Sequence, residues 1–143
     1  MKKGIDYVGV GIGAVIVRDG KIFLSKRGKK AKNEVGKWEC PGGGLEFGEQ
    51  FEDCIKREIK EEFDCEIQPL EMVEPVNHLI PEENQHWVAL AYICKLTNGE
   101  PKIAEPEKSE AIGWFTISEM ETMSLTLATK ERLRQMKERI KHV

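Results

Sequence analysis

Residues 43–65 read GGLEFGEQFEDCIKREIKEEFDC, and this stretch decides the fold. Glycines open it, and a helix is expected from near Glu49 to Phe63-Asp64, where Asp tolerates the left-handed conformation that ends helices. On a helix turning about 100° per residue, with Phe51 at 0°, Ile55 falls near about 40°, Ile59 about 80°, Phe63 about 120° and Cys54 about 300°. These residues make an apolar stripe that should face a core. Glu58, at about 340°, and Glu62, at about 20°, fall inside the same stripe, whereas Asp53, Lys56, Arg57 and Lys60 point the opposite way. An ionised carboxylate without a partner is costly in apolar surroundings. The two acids therefore call for compensation by bases of the fold or by a bound cation. Glu61, at about 280°, stands at the edge of this face, so three oxygen donors could meet on one hard metal such as Mg²⁺.

Immediately upstream, Trp38-Glu39-Cys40 leads into Pro41-Gly42-Gly43-Gly44, read as a loop whose backbone can approach a ligand closely. Before it, the run from Lys26 to Lys37 holds Lys26, Arg27, Lys29, Lys30, Lys32 and Lys37 against one acid, Glu34. Such a loop is either simply solvated or draws a phosphate-bearing substrate toward the acidic helix. It has no interleaved aromatics, which argues against a single-strand nucleic-acid platform. Val8 to Arg18 is rich in β-branched residues and reads as a strand. Its Gly9, Gly11 and Gly13 do not match the GxGxxG spacing of a dinucleotide fold, and no helix follows. Asp19-Gly20 signals a hairpin turn to a second strand, Lys21 to Ser25.

Downstream, Cys65 to Asn77 is expected to be extended, with a loop at Pro81-Glu82-Glu83-Asn84. His86 to Leu96 is almost continuously apolar, as a central strand buried on both faces would be. His86 and Trp87 at its start are placed either to contact a base or to pack in the core. Asn98-Gly99 turns the chain into an acidic loop with Glu105, Glu107 and Glu110. Ile112 to Phe115 reads as a short strand, Ser118 to Glu121 has capping-box spacing, and Leu127 to Lys141 reads as a helix with Leu133, Met136 and Ile140 inward. Helices thus separate runs of strands, the pattern of an α+β fold with a mixed β-sheet between helices.

Composition restricts the function. A chain of 143 residues, 40% hydrophobic and 33% charged, fits one domain over 1–143 with its own core. A net charge of −3 gives no general attraction to nucleic acid. Cys40, Cys54, Cys65 and Cys94 show no C-x-x-C pairing, so neither a zinc site nor a redox motif is indicated. Without a signal-like apolar run at the start or any membrane-length segment, the expected location is cytoplasmic.

The opening stretch resembles the Nudix box, GX₅EX₇REUXEEXGU with U aliphatic. Gly43, Glu49, Arg57, Glu58, Ile59, Glu61 and Glu62 match it at the required spacings, while Asp64 and Cys65 stand where that pattern has Gly and an aliphatic residue. The Trp38–Gly44 segment, the Gly-rich first strand and Glu105–Glu110 ahead of Trp114-Phe115 are similar to the MutT-like, nucleotide-hydrolysing branch. The resemblance implies a Nudix-type α/β/α sandwich and Mg²⁺-dependent (or Mn²⁺-dependent) hydrolysis of a nucleoside diphosphate linked to another moiety. A (deoxy)nucleoside triphosphate is the leading substrate, ADP-ribose or a nucleotide sugar the alternative, and a non-catalytic nucleotide sensor a third reading. It further implies metal ligation by Glu58, Glu61, Glu62 and the Gly43 carbonyl, with Glu49 and Arg57 bracing them. The base that activates water is Glu61 or a later acid, Glu105 or Glu107. Substrate contacts are expected at Arg27, Gly42, Gly43, Gly44 and His86. The expected partner is a small nucleotide, with no nucleic acid or membrane, and a homodimer is left open.

Overall fold

Val10, Ile12, Val15, Ile16 and Val17 draw Gly9–Arg18 into a ten-residue strand, β1, as β-branched side chains favour the pleated backbone. The structure, a computed structural model, describes residues 1–141. After β1, Asp19 (φ 51°) and Gly20 (φ 74°) make the two-residue turn that matches strand twist. Lys21–Arg27 returns antiparallel as β2, two residues longer than expected, so Lys26 and Arg27 belong to the strand. Trp38–Glu39 (β3) and Gly42–Gly44 (β4) are short strands. The expected glycine loop is therefore partly sheet, because Gly42, Gly43 and Gly44 pair with Gly13, Ile12 and Gly11.

Helix α1 is Phe51–Phe63, with Gln50 as N-cap and Asp64 left-handed at its end (φ 50°). Cys54, Ile55, Ile59 and Phe63 are fully buried, as the stripe requires, but Phe51 is 40% exposed and lies off the core. The extended segment beyond splits into β5 (Glu66–Met72) and β6 (Val76–Ile80), and a single 3₁₀ turn at Pro81–Glu83 precedes β7, Gln85–Asn98. β8 covers Ser109–Phe115. α2 is Ile117–Met120, and α3 is Leu127–Lys141. The capping box before α2 is Thr116 with Glu119, two residues ahead of the expected Ser118–Glu121 pair. Thr116 is the residue that stays extended (φ −75°, ψ 162°), as an N-cap must.

β7 is the hub of the sheet. It runs parallel to β1 through eight residue pairs and antiparallel to both β5 and β6. β2 carries β3 on one edge, at Ser25 and Lys26, and β8 on the other, from Ile22 to Arg27. The mixed sheet has a core on each face. Ile12, Ala14 and Ile16 of β1 pack with Phe23, Ile67, Cys94 and the stripe of α1. Val15, with Ile22, Leu24, Val73 and Ala91, packs toward Met120 of α2 and toward Leu133 and Met136 of α3. Alternation along β1 thus builds an α/β/α sandwich. The side chain of Ile140 lies outside the described residues. The four cysteines are free thiols, and no helix among the described residues is long and apolar enough to cross a membrane.

The site depends on a division within this sheet. β1 pairs with β7 and β4 over its first eight residues but with β2 only at Val17 and Arg18. The chain crosses between the two halves at Cys40-Pro41, where Pro41 accepts the Ala14 amide at 2.8 Å. A cleft of about 270 Å³ opens there, floored by Gly11 and Gly13 and walled by Glu39, Gly43, Glu58, Glu62 and Trp87.

Candidate active site

Glu58 is 9% exposed and, like Glu62, lines the cleft. The two acids of the helical wheel share this opening because α1 lies against β4, whose glycines leave space for them. A Cβ at Gly43 would overlap the Glu58 carboxyl group, and one at Gly42 would overlap the Ile12 carbonyl. These two glycines are therefore required by close approach.

Arg57 braces the helix. Its guanidinium donates to Glu49 through Nε at 2.7 Å and Nη2 at 3.0 Å, and to Glu58 Oε1 through Nη1 at 3.0 Å. Glu49 Oε1 in turn accepts the Glu46 amide at 3.1 Å, tying the loop to the helix. The Arg57 hydrogen bonds hold the Glu49 carboxyl down at about 2. Burial raises the Glu58 carboxyl above its ordinary value, against the opposing pull of Arg57. Burial, followed by the carboxylates of Glu39 and Glu58, pushes Glu62 up to about 8, with Glu105 adding to the rise and Lys108 opposing it.

Glu61 departs from the expected arrangement. Its side chain is 53% exposed, is not among those lining the cleft, and shares Arg57 Nη1 with Glu58, at 3.3 Å. Among the described residues no three Asp, Glu, His or Cys side chains converge to hold a metal. The donors nevertheless suit a hard divalent cation. Burial, with the carboxylates of Glu39, Glu58 and Glu105, lifts the Glu62 proton affinity against Lys108, the behaviour of an acid short of counter-charge.

Glu105 arrives from a loop fastened to the end of α1, where the Lys102 and Ala104 amides donate to the Phe63 and Glu62 carbonyls at 3.0 and 2.9 Å. Its Oε1 is buried without a hydrogen-bond partner among the described residues. Glu107 is exposed and contributes its backbone carbonyl, which accepts the Lys30 amide at 3.2 Å. Neither its side chain nor that of Glu105, whose Oε2 lies 3.7 Å from Lys108 Nζ, is among those lining the cleft.

Arg27 lines the cleft, yet its Nη1 is engaged by both Glu39 oxygens at 2.8 and 2.9 Å, and its Nε by the Asn33 carbonyl at 2.8 Å. It neutralises a buried acid where a free substrate contact was expected. His86 lies outside the cleft, bonded to Asn77 Oδ1 at 2.6 Å. Neighbouring strand residues face opposite ways, and it is Trp87 that lines the cleft. Lys30, Lys32 and Lys108 also line it. The sequence reading passed over His78 and Arg132, both buried in the cleft wall. Neither carries a local motif, and only their placement on β6 and α3 reveals them.

The NUDIX domain model matches residues 8–139. The MutT NUDIX hydrolase structure from Burkholderia pseudomallei is 40% identical, with a TM-score of 0.82 covering 89% of this chain and 96% of that one. Nucleoside triphosphatase NudI from Escherichia coli O139:H28 is 29% identical over 129 residues, 84% of this chain and 90% of its own length. The 8-oxo-dGDP phosphatase NUDT18 of Danio rerio is 28% identical over 118 residues, or 80% of this chain. The chain spans about a third of the length of NUDT18 and of a Caenorhabditis elegans nudix hydrolase that it also matches. A glutamate-bearing helix against a glycine strand and a model matched over nearly the whole chain together assign it to the NUDIX domain family.

Proposed function

We propose that the chain is a Mg²⁺-dependent hydrolase of phosphoric anhydride bonds, acting on a (deoxy)nucleoside triphosphate to give a nucleoside monophosphate and pyrophosphate. The observation that carries this reading is the pair Glu58 and Glu62 at one cleft wall, Glu58 oriented by Arg57, itself held by Glu49, and Glu62 raised by burial and by its acidic neighbours. The names of NudI and the B. pseudomallei protein support it. The single domain, the cytoplasmic location and the small-nucleotide partner belong to the same proposal.

When bound, the cation would supply charge neutralisation on the phosphate oxygens and a more acidic water. Glu58 and Glu62, with the Gly43 carbonyl, are the residues that would hold it. Arg57 keeps Glu58 oriented, and Lys30, Lys32 and Lys108 attract the phosphates. Of the candidate bases, Glu105 acts through its charge on Glu62 and is paired through Oε2 with Lys108 at 3.7 Å, whereas Glu61 is exposed beside Arg57; neither side chain lines the cleft, and both stay in the proposal. Water attacks phosphorus as the bond to the bridging oxygen breaks, and the water proton passes to the carboxylate that serves as base, Glu105 or Glu61. A panel of nucleoside triphosphates and ADP-ribose with Mg²⁺, read by product identity, tests the reading. Pyrophosphate release is expected, and AMP with ribose phosphate from ADP-ribose as the only products would replace it.

A further inference from the structure

The basic loop between β2 and β3 brings Lys30 and Lys32 to the cleft, and its backbone is held near both ends. The Gly28 and Lys30 amides donate to the Lys108 and Glu107 carbonyls at 2.8 and 3.2 Å. Farther along, Glu34 Oε2 accepts the Leu127 amide at the start of α3 at 2.9 Å. Between these anchors Lys32 is exposed, and its carbonyl accepts from the Nε2 of Gln85 at 2.8 Å. Gln85 opens β7 and shares a strand face with Trp87, two residues on. Its Oε1 accepts the Trp87 indole N–H at 2.8 Å and the Asn33 side-chain amide at 2.9 Å. The Lys32 ammonium in turn stands 5.6 Å from the centre of the Trp87 ring, within cation–π reach. Gly4 and Gly9 back that ring so closely that a Cβ at either would overlap it, so the indole has no room to withdraw in that direction. One amide therefore grips both members of the Lys32–Trp87 pair, although Gln85 is not itself among the residues lining the cleft.

We propose that Gln85 is a positioning residue for phosphate binding: through the Lys32 carbonyl and the Trp87 indole it sets the Lys32 ammonium at the cleft to meet an anionic phosphate chain. This deepens the reading of the chain as a nucleotide hydrolase and rests on it. A free lysine side chain samples many rotamers, and ordering it on binding subtracts from affinity. A backbone fixed beneath it and an aromatic face beside its ammonium narrow that choice beforehand, so less ordering remains when a phosphate arrives. The position calls for a primary amide, because the group must donate to one carbonyl and accept from two N–H groups at once. A carboxylate only accepts and an ammonium only donates. Lys30 has its own anchor in the Glu107 carbonyl, so Gln85 governs Lys32 and leaves Lys30 alone.

The test is a double-mutant cycle, read in KM and kcat for whichever of ATP, GTP, CTP and UTP is turned over fastest. Gln85→Met keeps the side-chain length and adds no charge, but removes the bonds to Lys32, Asn33 and Trp87. It is expected to raise KM about 3- to 10-fold with kcat within about twofold of wild type. Lys32→Met should do the same, and the double variant should stay within about twofold of Lys32→Met alone. The effects of Gln85→Met and Lys30→Met, by contrast, should multiply. An unchanged KM in Gln85→Met, whatever its Tm, overturns the inference. So do effects of Gln85→Met and Lys32→Met that multiply, or a Gln85→Met that couples to Lys30 as strongly as to Lys32, the mark of a general loosening. If no triphosphate is turned over at all, the hydrolase reading fails separately. Gln85 is then judged by the calorimetric Kd for inorganic pyrophosphate with Mg²⁺, expected to be about 3- to 10-fold weaker in Gln85→Met; equal affinity in the two proteins, or no binding to the wild type, overturns the inference.

Discussion

Glu62 carries opposing consequences for activity and stability. Burial and the carboxylates of Glu39 and Glu58 push its carboxyl up to about 8, well above the ordinary value of 4.5. A raised folded-state value means that its contribution to stability is complete below about 4.5 and is lost as pH rises through about 8. With EDTA present, Tm is therefore expected to fall across this window, by an amount worth a few kcal/mol at most. Glu62→Gln should flatten that fall and raise Tm at pH 8, yet reduce turnover by about 10³-fold. Thermal scans against pH, with and without Mg²⁺, check the first expectation, and Mg²⁺ should restore the wild-type Tm at pH 8. Arg57 and Glu49 act one step back. Arg57→Lys cannot reproduce the two-point contact with Glu49, so a loss of about 10- to 100-fold in kcat is expected with Tm little changed. Steady-state kinetics with circular dichroism melting would show it.

The strand–helix pair of β4 and α1 separates two kinds of glycine. A methyl at Gly42 would meet the Ile12 backbone, which cannot step aside, whereas one at Gly43 would meet the end of the Glu58 side chain. Gly42→Ala is expected to cost about 1 to 3 kcal/mol of stability and to lower Tm. Gly43→Ala should keep most of the stability but lose activity, because Glu58 must swing away. Denaturant melts beside kinetic assays on the two variants separate these outcomes. The helix was legible in the sequence because its stripe, its acids and its left-handed Asp64 are local properties of successive residues. β4 was not, since three glycines have no strand propensity and become a strand only through their register with β1. The partner of Arg27 was hidden for the same reason: Glu39 reaches it across β2 and β3, a contact set by pairing. Glu61 follows Arg57 by one turn, about 40° away on the same wheel, so their contact was also legible as an i,i+4 pair.

For the molecule as a whole, a net charge of −3 coexists with lysines at the cleft, so attraction of a polyanion is local and short-ranged. Salt screens such steering within about 10 Å at 0.1 M. kcat/KM should therefore decline as NaCl rises at fixed Mg²⁺, with kcat much less affected; an equal decline in both would remove the steering role of Lys30, Lys32 and Lys108. The buried cysteines offer a view of how the two halves of the sandwich part. Burial pushes the thiols of Cys54 and Cys94 up to about 12 and Cys65 to about 11, so an alkylating reagent finds little thiolate in the native protein. Cys54 also lies across the seam, its Sγ donating to the Gly44 carbonyl at 3.6 Å. Its labelling rate is then a clock for the separation of α1 from the glycine strand, timing how often the acid-bearing helix leaves its seat.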